Sequence, residues 1–367
     1  MRILILTCNT GGGHNSAALA LESYFQKSGI QCDIADFLGF GKDFANNIIC
    51  NGHVFIYRHA PKLFDWGYKR AENGTLKGEN SFLYKYCSLY ANNLYKFLSN
   101  HKYDCIVSVH IFASIALDYI KKHIDDKIFA CNVSTDYTCY PEINNTDLDL
   151  YFIAHEDLKN EYVRNGIKSE RLVASGIPVR EVFYQTRKSK KDAKKLIGVD
   201  SEKKTVLIVG GSMGAGPIEE TIVKMSENLG DICTVAAICG SNERLYDTLS
   251  KYTSVHLRGF VSNIEHYMNA ADVILTKAGG LTSTEAAAMS LPPVFVDAVA
   301  GCENYNRIFF ENHGYALLSN SVSEAVSNTC KLIEDDALYN DIYSKLEKDF
   351  SFPAQQVICD SLRKVFE

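Results

Sequence analysis

KTVLIVGGSMGAG, residues 204–216, is an apolar run that stops in glycine. Thr205 to Val209 read as a strand. Gly210, Gly211, Gly214 and Gly216 then supply backbone freedom, and Pro217 suits the first turn of a following helix. Strand, glycine turn, helix is the opening of a Rossmann-like unit. The same order begins the chain: Ile3-Leu4-Ile5-Leu6 runs into Asn9-Thr10-Gly11-Gly12-Gly13-His14. Ala17, Leu21, Tyr24 and Phe25 then fall on one helical face before Gly29. Gly11 and Gly211 stand 200 positions apart, so two such domains are expected rather than one.

Outward from these two loops, "DCIVSVH" (104–110), "KIFACNVSTD" (127–136) and "LDLYFIAH" (148–155) extend the first series of strands. "CTVAAICG", "VHLRGF", "DVILTKAGG" and "PPVFVDAV" extend the second. The junction falls in "SGIPVREVF" (175–183), giving an N-terminal domain over 1–180 and a C-terminal domain over 181–352. The basic run "RKSKKDAKK" (187–195) reads as a solvated helix face. Residues 353–367 read as a closing helix, with Ile358, Leu362 and Val365 on one face, that packs back on the first domain.

Composition narrows the function. The 367 residues are 46% hydrophobic and carry Lys+Arg 38 against Asp+Glu 44, a net charge of −6 that argues against a nucleic-acid partner. No run reaches about 18 uncharged apolar residues, so no membrane-spanning helix is expected. Met1-Arg2 leads directly into a strand rather than a leader peptide. The 12 cysteines form no Cys-x-x-Cys pair, and several lie within strands, so reduced thiols in a cytoplasmic protein are expected and no metal site. Residues 53–103 depart from the average, with 8 Lys/Arg against 3 Asp/Glu and many aromatics, the only Trp among them. Lys62, Trp66, Lys69 and Arg70 make this stretch the candidate contact with an anionic membrane surface; ordinary amphipathic helices are the plainer reading.

The candidate chemistry lies at the loops. The glycine turn at 210–216 precedes a helix, whose unpaired N–H groups suit a phosphate, but it lacks the Lys-Ser/Thr ending of an ATPase loop. "KAGGLTSTEAAAM" (277–289) is a second such turn. Thr282 and Glu285 fit a capping box; in the functional reading Gly280, Leu281 and Thr282 hold a diphosphate and Glu285 a ribose. His14, at a helix start that favours neutral imidazole, is placed to act as a base or is simply a satisfied side chain. Asp136, after the strand "FACNVSTD", is either a base or orienter or a strand-end turn residue. Asp33 and Asp36 keep a dinucleotide site formally open, although Ser16 breaks the glycine fingerprint. Asp147-Leu148-Asp149 reads as a solvated strand start.

Taken in order, "GGGH" with "NSAA" (11–18), "TDY" (135–137), "ASGIPVR" (174–180), "GGSMGAG", "GF" (259–260) followed by Asn263, "TKAGGLTSTEA" and "ENYN" (303–306) resemble glycosyltransferase family 28 over about residues 1–315. The nearest branch is the group of monogalactosyldiacylglycerol synthases and processive diacylglycerol glucosyltransferases. The resemblance implies an α/β GT-B fold, two Rossmann-like domains with an interdomain cleft. It implies an inverting enzyme that moves glucose or galactose from a UDP-sugar to diacylglycerol on the inner face of the cell membrane, without a metal or other cofactor. His14 would be the base and Asp136 the second candidate, with Gly12 and Gly13 at the acceptor. Gly211, Ser212, Met213 and Gly214 would contact phosphate, and Phe260 and Val261 the uracil. Gly280, Leu281 and Thr282 would hold the diphosphate, Glu285 the ribose, and Glu303 and Asn304 the sugar. Many relatives have Gly-Gln-Glu where this chain has Gly301-Cys302-Glu303, and "TCYPEI" lacks the His and Trp that follow "TDY" in several of them. Other readings are transfer to a polyprenyl-diphosphate-linked sugar, or a non-catalytic UDP-sugar sensor.

Overall fold

The computed structural model describes residues 1–9, 12–41, 78–185, 188–210, 218–296 and 301–366. These divide into two compact units. The first comprises Met1–Arg180, Ala300–Cys302 and Pro353–Glu367; the second comprises Glu181–Val299 and Glu303–Phe352.

In the first unit the described elements run β1 (Arg2–Thr7), α1 (Gly12–Lys27), β2 (Gln31–Asp36), α2 (Phe82–His101), β3 (Cys105–Ser108), α3 (Ile111–His123), β4 (Ala130–Val133), β5 (Leu150–Ile153), α4 (Lys159–Arg164) and β6 (Leu172–Ala174). The sheet is parallel in the order β2-β1-β3-β4-β5-β6. Helices take both faces of such a sheet, which is why Ile3 to Leu6 are all wholly buried. Gly29, at φ +77°, ends α1 by turning the chain so that Ile30 N–H reaches the Phe25 carbonyl at 2.9 Å. The order reverses between β1 and β3, and the register Leu6↔Ser108 sets their carboxyl ends side by side. An open α/β sheet leaves a crevice there.

The second unit runs α5 (Lys190–Ile197), β7 (Lys204–Val209), α6 (Ile218–Leu229), β8 (Cys233–Ile238), α7 (Glu243–Leu249), β9 (Val255–Arg258), α8 (Ile264–Ala270), β10 (Val273–Thr276), α9 (Gly280–Ala288), β11 (Pro293–Phe295), α10 (Cys302–Asn312), β12 (Leu317–Leu318), α11 (Val322–Glu334) and α12 (Asp336–Asp349). Its parallel sheet has the order β12-β11-β10-β7-β8-β9. Here the reversal lies between β7 and β10, paired Val209↔Thr276. The turn 277–279 therefore opens at a switch point too.

Two expectations need correction. Lys194 is not on a solvated face: it is buried, and its ammonium donates to Asp272 Oδ2 at 2.9 Å and to the Lys203 carbonyl at 2.7 Å. Asp272 Oδ2 also accepts Thr205 N–H at 2.8 Å, so this lysine ties α5 to the starts of β7 and β10. The last helix, α13 (Ala354–Phe366), lies in the first unit and adds Ile358, Cys359 and Leu362 to its core. Val365 remains 47% exposed, because the buried stripe runs through Cys359 instead. The described cysteines are free thiols, and no described helix is long and apolar enough to cross a membrane.

Candidate active site

In the first unit α1 begins at Gly12, so Gly12, Gly13 and His14 form its first turn beside the end of β3. His14 is half-buried, and its Nδ1 lies 2.8 Å from the Val109 carbonyl oxygen. A carbonyl only accepts, so Nδ1 carries the ring proton and Nε2 of the neutral imidazole keeps the lone pair. The His110 ring meets His14 edge to face at 4.5 Å. His110 is itself pinned as the N-cap of α3, accepting Phe112 N–H at 3.2 Å.

Asp136, half-buried, follows β4 and does not stand alone. The Tyr140 hydroxyl donates to its Oδ2 at 2.7 Å. Thr135 Oγ1, buried between them, lies 2.6 Å from the Tyr140 oxygen and 3.2 Å from His14 Nδ1. The Thr135 N–H also points at the Tyr140 oxygen, 3.3 Å away. Burial, and next the Asp136 carboxylate, push the Tyr140 phenol well above its ordinary value, so it stays a donor. The Ser134 hydroxyl donates to the Asp136 carbonyl at 3.0 Å, which pins the turn. The two candidate bases are thus the ends of one connected set of polar groups.

In the second unit α9 starts at Gly280 with Gly279 as its N-cap, and no side chain caps it. The capping box does not form: Thr282 and Glu285 lie inside the helix, one turn apart. Gly280 and Leu281 are buried and Thr282 and Glu285 half-buried. This end presents backbone N–H groups and the positive end of a helix dipole. Lys277, just before it, pairs with Glu303 of α10, both largely buried. One turn further along α10, the Asn306 amide donates to the Ala278 carbonyl at 2.9 Å. Asn304 is exposed, Phe260 is 74% exposed and Val261 half-buried. Gly211, Ser212, Met213 and Gly214 lie outside the described residues, as do Lys62, Trp66, Lys69 and Arg70.

Comparison with known proteins now bears on these two sites. Residues 14–179 match the family model of monogalactosyldiacylglycerol (MGDG) synthase, and residues 205–343 that of the glycosyltransferase family 28 C-terminal domain. The chain is 30% identical over 357 residues to the processive diacylglycerol beta-glucosyltransferase of Bacillus cytotoxicus, covering 91% of this chain and 86% of that one. The chain belongs to glycosyltransferase family 28. This family 28 member is therefore an enzyme, a UDP-sugar-dependent transferase. Its fold is GT-B, as the family resemblance implied. Acinetobacter baumannii MurG matches with a TM-score of 0.64 at 14% identity, over 99% of each chain. The UDP-GlcNAc 2-epimerase of Neisseria meningitidis matches with a TM-score of 0.65 at 18% identity, over 99% of this chain and 100% of that one.

Sequence reading of this family 28 enzyme passed over four residues that the geometry brings forward: Thr135, Tyr140, Lys277 and Asn306. Tyr140 stands four positions after Asp136 and Lys277 directly before a glycine turn, but neither spacing has a meaning until the turn is seen. Asn306 is buried although polar, and the Ala278 carbonyl accepts from its amide.

Proposed function

We propose that this enzyme transfers a hexose from a UDP-sugar to the hydroxyl of diacylglycerol at a membrane surface, with inversion at the anomeric carbon. The observation that carries this is His14, which heads α1 with its Nδ1 2.8 Å from the Val109 carbonyl oxygen, so that in the neutral ring Nε2 is the basic nitrogen. Nε2 accepts the proton of the acceptor hydroxyl, and the oxygen attacks C1 of the sugar. The C1–O bond to UDP breaks, its electron pair leaves with the diphosphate, and the α9 N-terminus stabilises the charge that develops there. Gly280, Leu281 and Thr282 face the diphosphate in this reading, Glu285 the ribose, Phe260 and Val261 the uracil, and Glu303 and Asn304 the hexose. Dipoles supply the electrostatics, so no cofactor is invoked. Glucose is the favoured hexose, on the strength of the relative named for it, with galactose as the alternative. Free thiols support the cytoplasmic face of the membrane as the place of action.

Surface contact is supported by α2, which leaves Phe82 83% and Leu89 75% exposed, two turns apart on one side, with exposed Lys85 between them. Apolar side chains beside a lysine suit insertion among anionic headgroups. Each insertion is worth about 1.5–3 kcal/mol. Phe82→Ser with Leu89→Ser therefore weakens sedimentation with anionic vesicles by more than about tenfold, while UDP binding holds. Unchanged sedimentation would remove α2 from the contact surface.

The reading is tested by incubating the enzyme with labelled UDP-glucose, and separately UDP-galactose, over diacylglycerol vesicles and analysing extracted lipid by mass spectrometry. Hexosyldiacylglycerol is expected from one donor, followed by a dihexosyl product if the enzyme is processive. Hydrolysis without glycolipid, or no product from either donor, would refute it.

A further inference from the structure

The polar groups joining Asp136 to His14 have a direction that hydrogen counting settles. Both ends accept only: the Val109 carbonyl at one, the Asp136 carboxylate at the other. The Tyr140 hydroxyl has one proton and gives it to Asp136 Oδ2, because turning it elsewhere would set two oxygens 2.7 Å apart with no hydrogen between them. The Thr135 hydroxyl must then donate to Tyr140 at 2.6 Å, leaving a lone pair of Thr135 Oγ1 toward His14 Nδ1 at 3.2 Å. A lone pair there agrees with Nδ1–H and disagrees with a bare Nδ1. Every proton in the chain is consistent with Nε2 being the basic nitrogen.

We infer that Asp136 is not an alternative base but the anchor of a hydroxyl chain, through Tyr140 and Thr135, that holds His14 in its Nδ1–H form, which makes Tyr140 and Thr135 positioning residues. The inference rests on the reading of His14 as the base. Without the Tyr140 oxygen, the Thr135 hydroxyl loses its acceptor and is free to turn its proton toward Nδ1. A proton there competes with the bond from Nδ1–H to Val109, so the hold on the Nδ1–H form weakens and the tautomer protonated on Nε2, whose Nε2 cannot take a proton from the acceptor, gains. When His14 does take that proton, the same aligned dipoles and the carboxylate beyond them stabilise the imidazolium.

The test uses the full-length enzyme with UDP-glucose and diacylglycerol vesicles, and the nitrogen-15 spectrum of its labelled histidines. Tyr140→Phe is expected to lower kcat by about 10–100-fold, the scale of losing a hydrogen bond that orients a reacting group. Its KM for UDP-glucose should hold, and the His14 signal should gain the Nε2–H tautomer. Thr135→Val should do the same and add little when combined with Tyr140→Phe, since both cut one chain. Thr135→Ser, which restores the hydroxyl, should recover most of the loss. Asp136→Asn, which can still accept from Tyr140, should keep the tautomer and lose less activity than His14→Ala. Asp136→Asn as inactive as His14→Ala, with the tautomer intact, would make Asp136 the base and overturn the inference. Wild-type turnover and spectrum in Tyr140→Phe would also overturn it. A changed tautomer at full turnover would instead strike the reading of His14 as the base, and the inference would fall with it.

Discussion

His14→Ala is expected to lower kcat for glycolipid synthesis by about 10²–10⁴-fold, the usual contribution of a positioned general base, with the affinity for UDP unchanged. The split follows from where the residue sits. His14 is in the first turn of α1, its Nδ1 fixed by the Val109 carbonyl, while the groups assigned to the donor lie in the other unit, around Gly280 and Glu303. Losing the base leaves the ground-state grip on the nucleotide intact and removes stabilisation only as the acceptor proton begins to move. Such a loss appears in kcat rather than KM for the donor. Steady-state kinetics with UDP-glucose, alongside calorimetric titration with UDP, read both quantities. A variant that keeps a third or more of wild-type turnover would exclude His14 as the base. One that lost UDP binding as well would point to a disturbed fold instead, and a thermal melt separates that case.

The strand runs were legible because parallel strands covered on both faces have nothing polar to show: Ile3 to Leu6 and Val206 to Ile208 are buried without exception. The glycine turn before α9 was legible because glycine clusters there at a strand end. What escaped the sequence depended on contacts between distant positions. His14 finds its acceptor at Val109, 95 residues on. Thr135 and Tyr140 belong together only because the chain turns after β4. The capping box at Thr282 failed because the end of β10 releases the chain into helix at Gly280, earlier than the Ser/Thr-x-x-Glu pattern implies. Lys194 looked solvated because it reads like Lys190, Lys191 and Lys195, which are exposed, whereas Asp272 and the Lys203 carbonyl draw this one inward. Local pattern fixes which elements form; the partners of single polar side chains come from topology.

Leu362→Ala should destabilise the first unit by about 2–5 kcal/mol, the cost of deleting a buried leucine and leaving part of its volume empty. The side chain is fully buried in the cluster that holds Ile3, Ile5, Leu21, Phe25 and Ile30, so the last turns of the chain complete a core that the first turns began. Ile358 is equally buried one turn earlier, and Gln355 donates to the Val179 carbonyl at 2.6 Å from the same face. Arg363 donates to the Ser28 carbonyl at 2.9 Å, just past the end of α1. Domains of this kind are stable by about 5–15 kcal/mol. Ile358→Ala combined with Leu362→Ala should therefore leave the first unit largely unfolded at growth temperature, with some coupling between the two because they are neighbours on one helix. Val365→Ala, on the exposed side, should stay within about 0.5 kcal/mol. Denaturant unfolding followed with and without UDP makes the assignment specific. The transition lowered by Leu362→Ala should be distinct from the one that UDP raises, because the ligand protects the unit that binds it. If Leu362→Ala moved the UDP-protected transition alone, α13 would belong energetically to the second unit rather than to the core of the first.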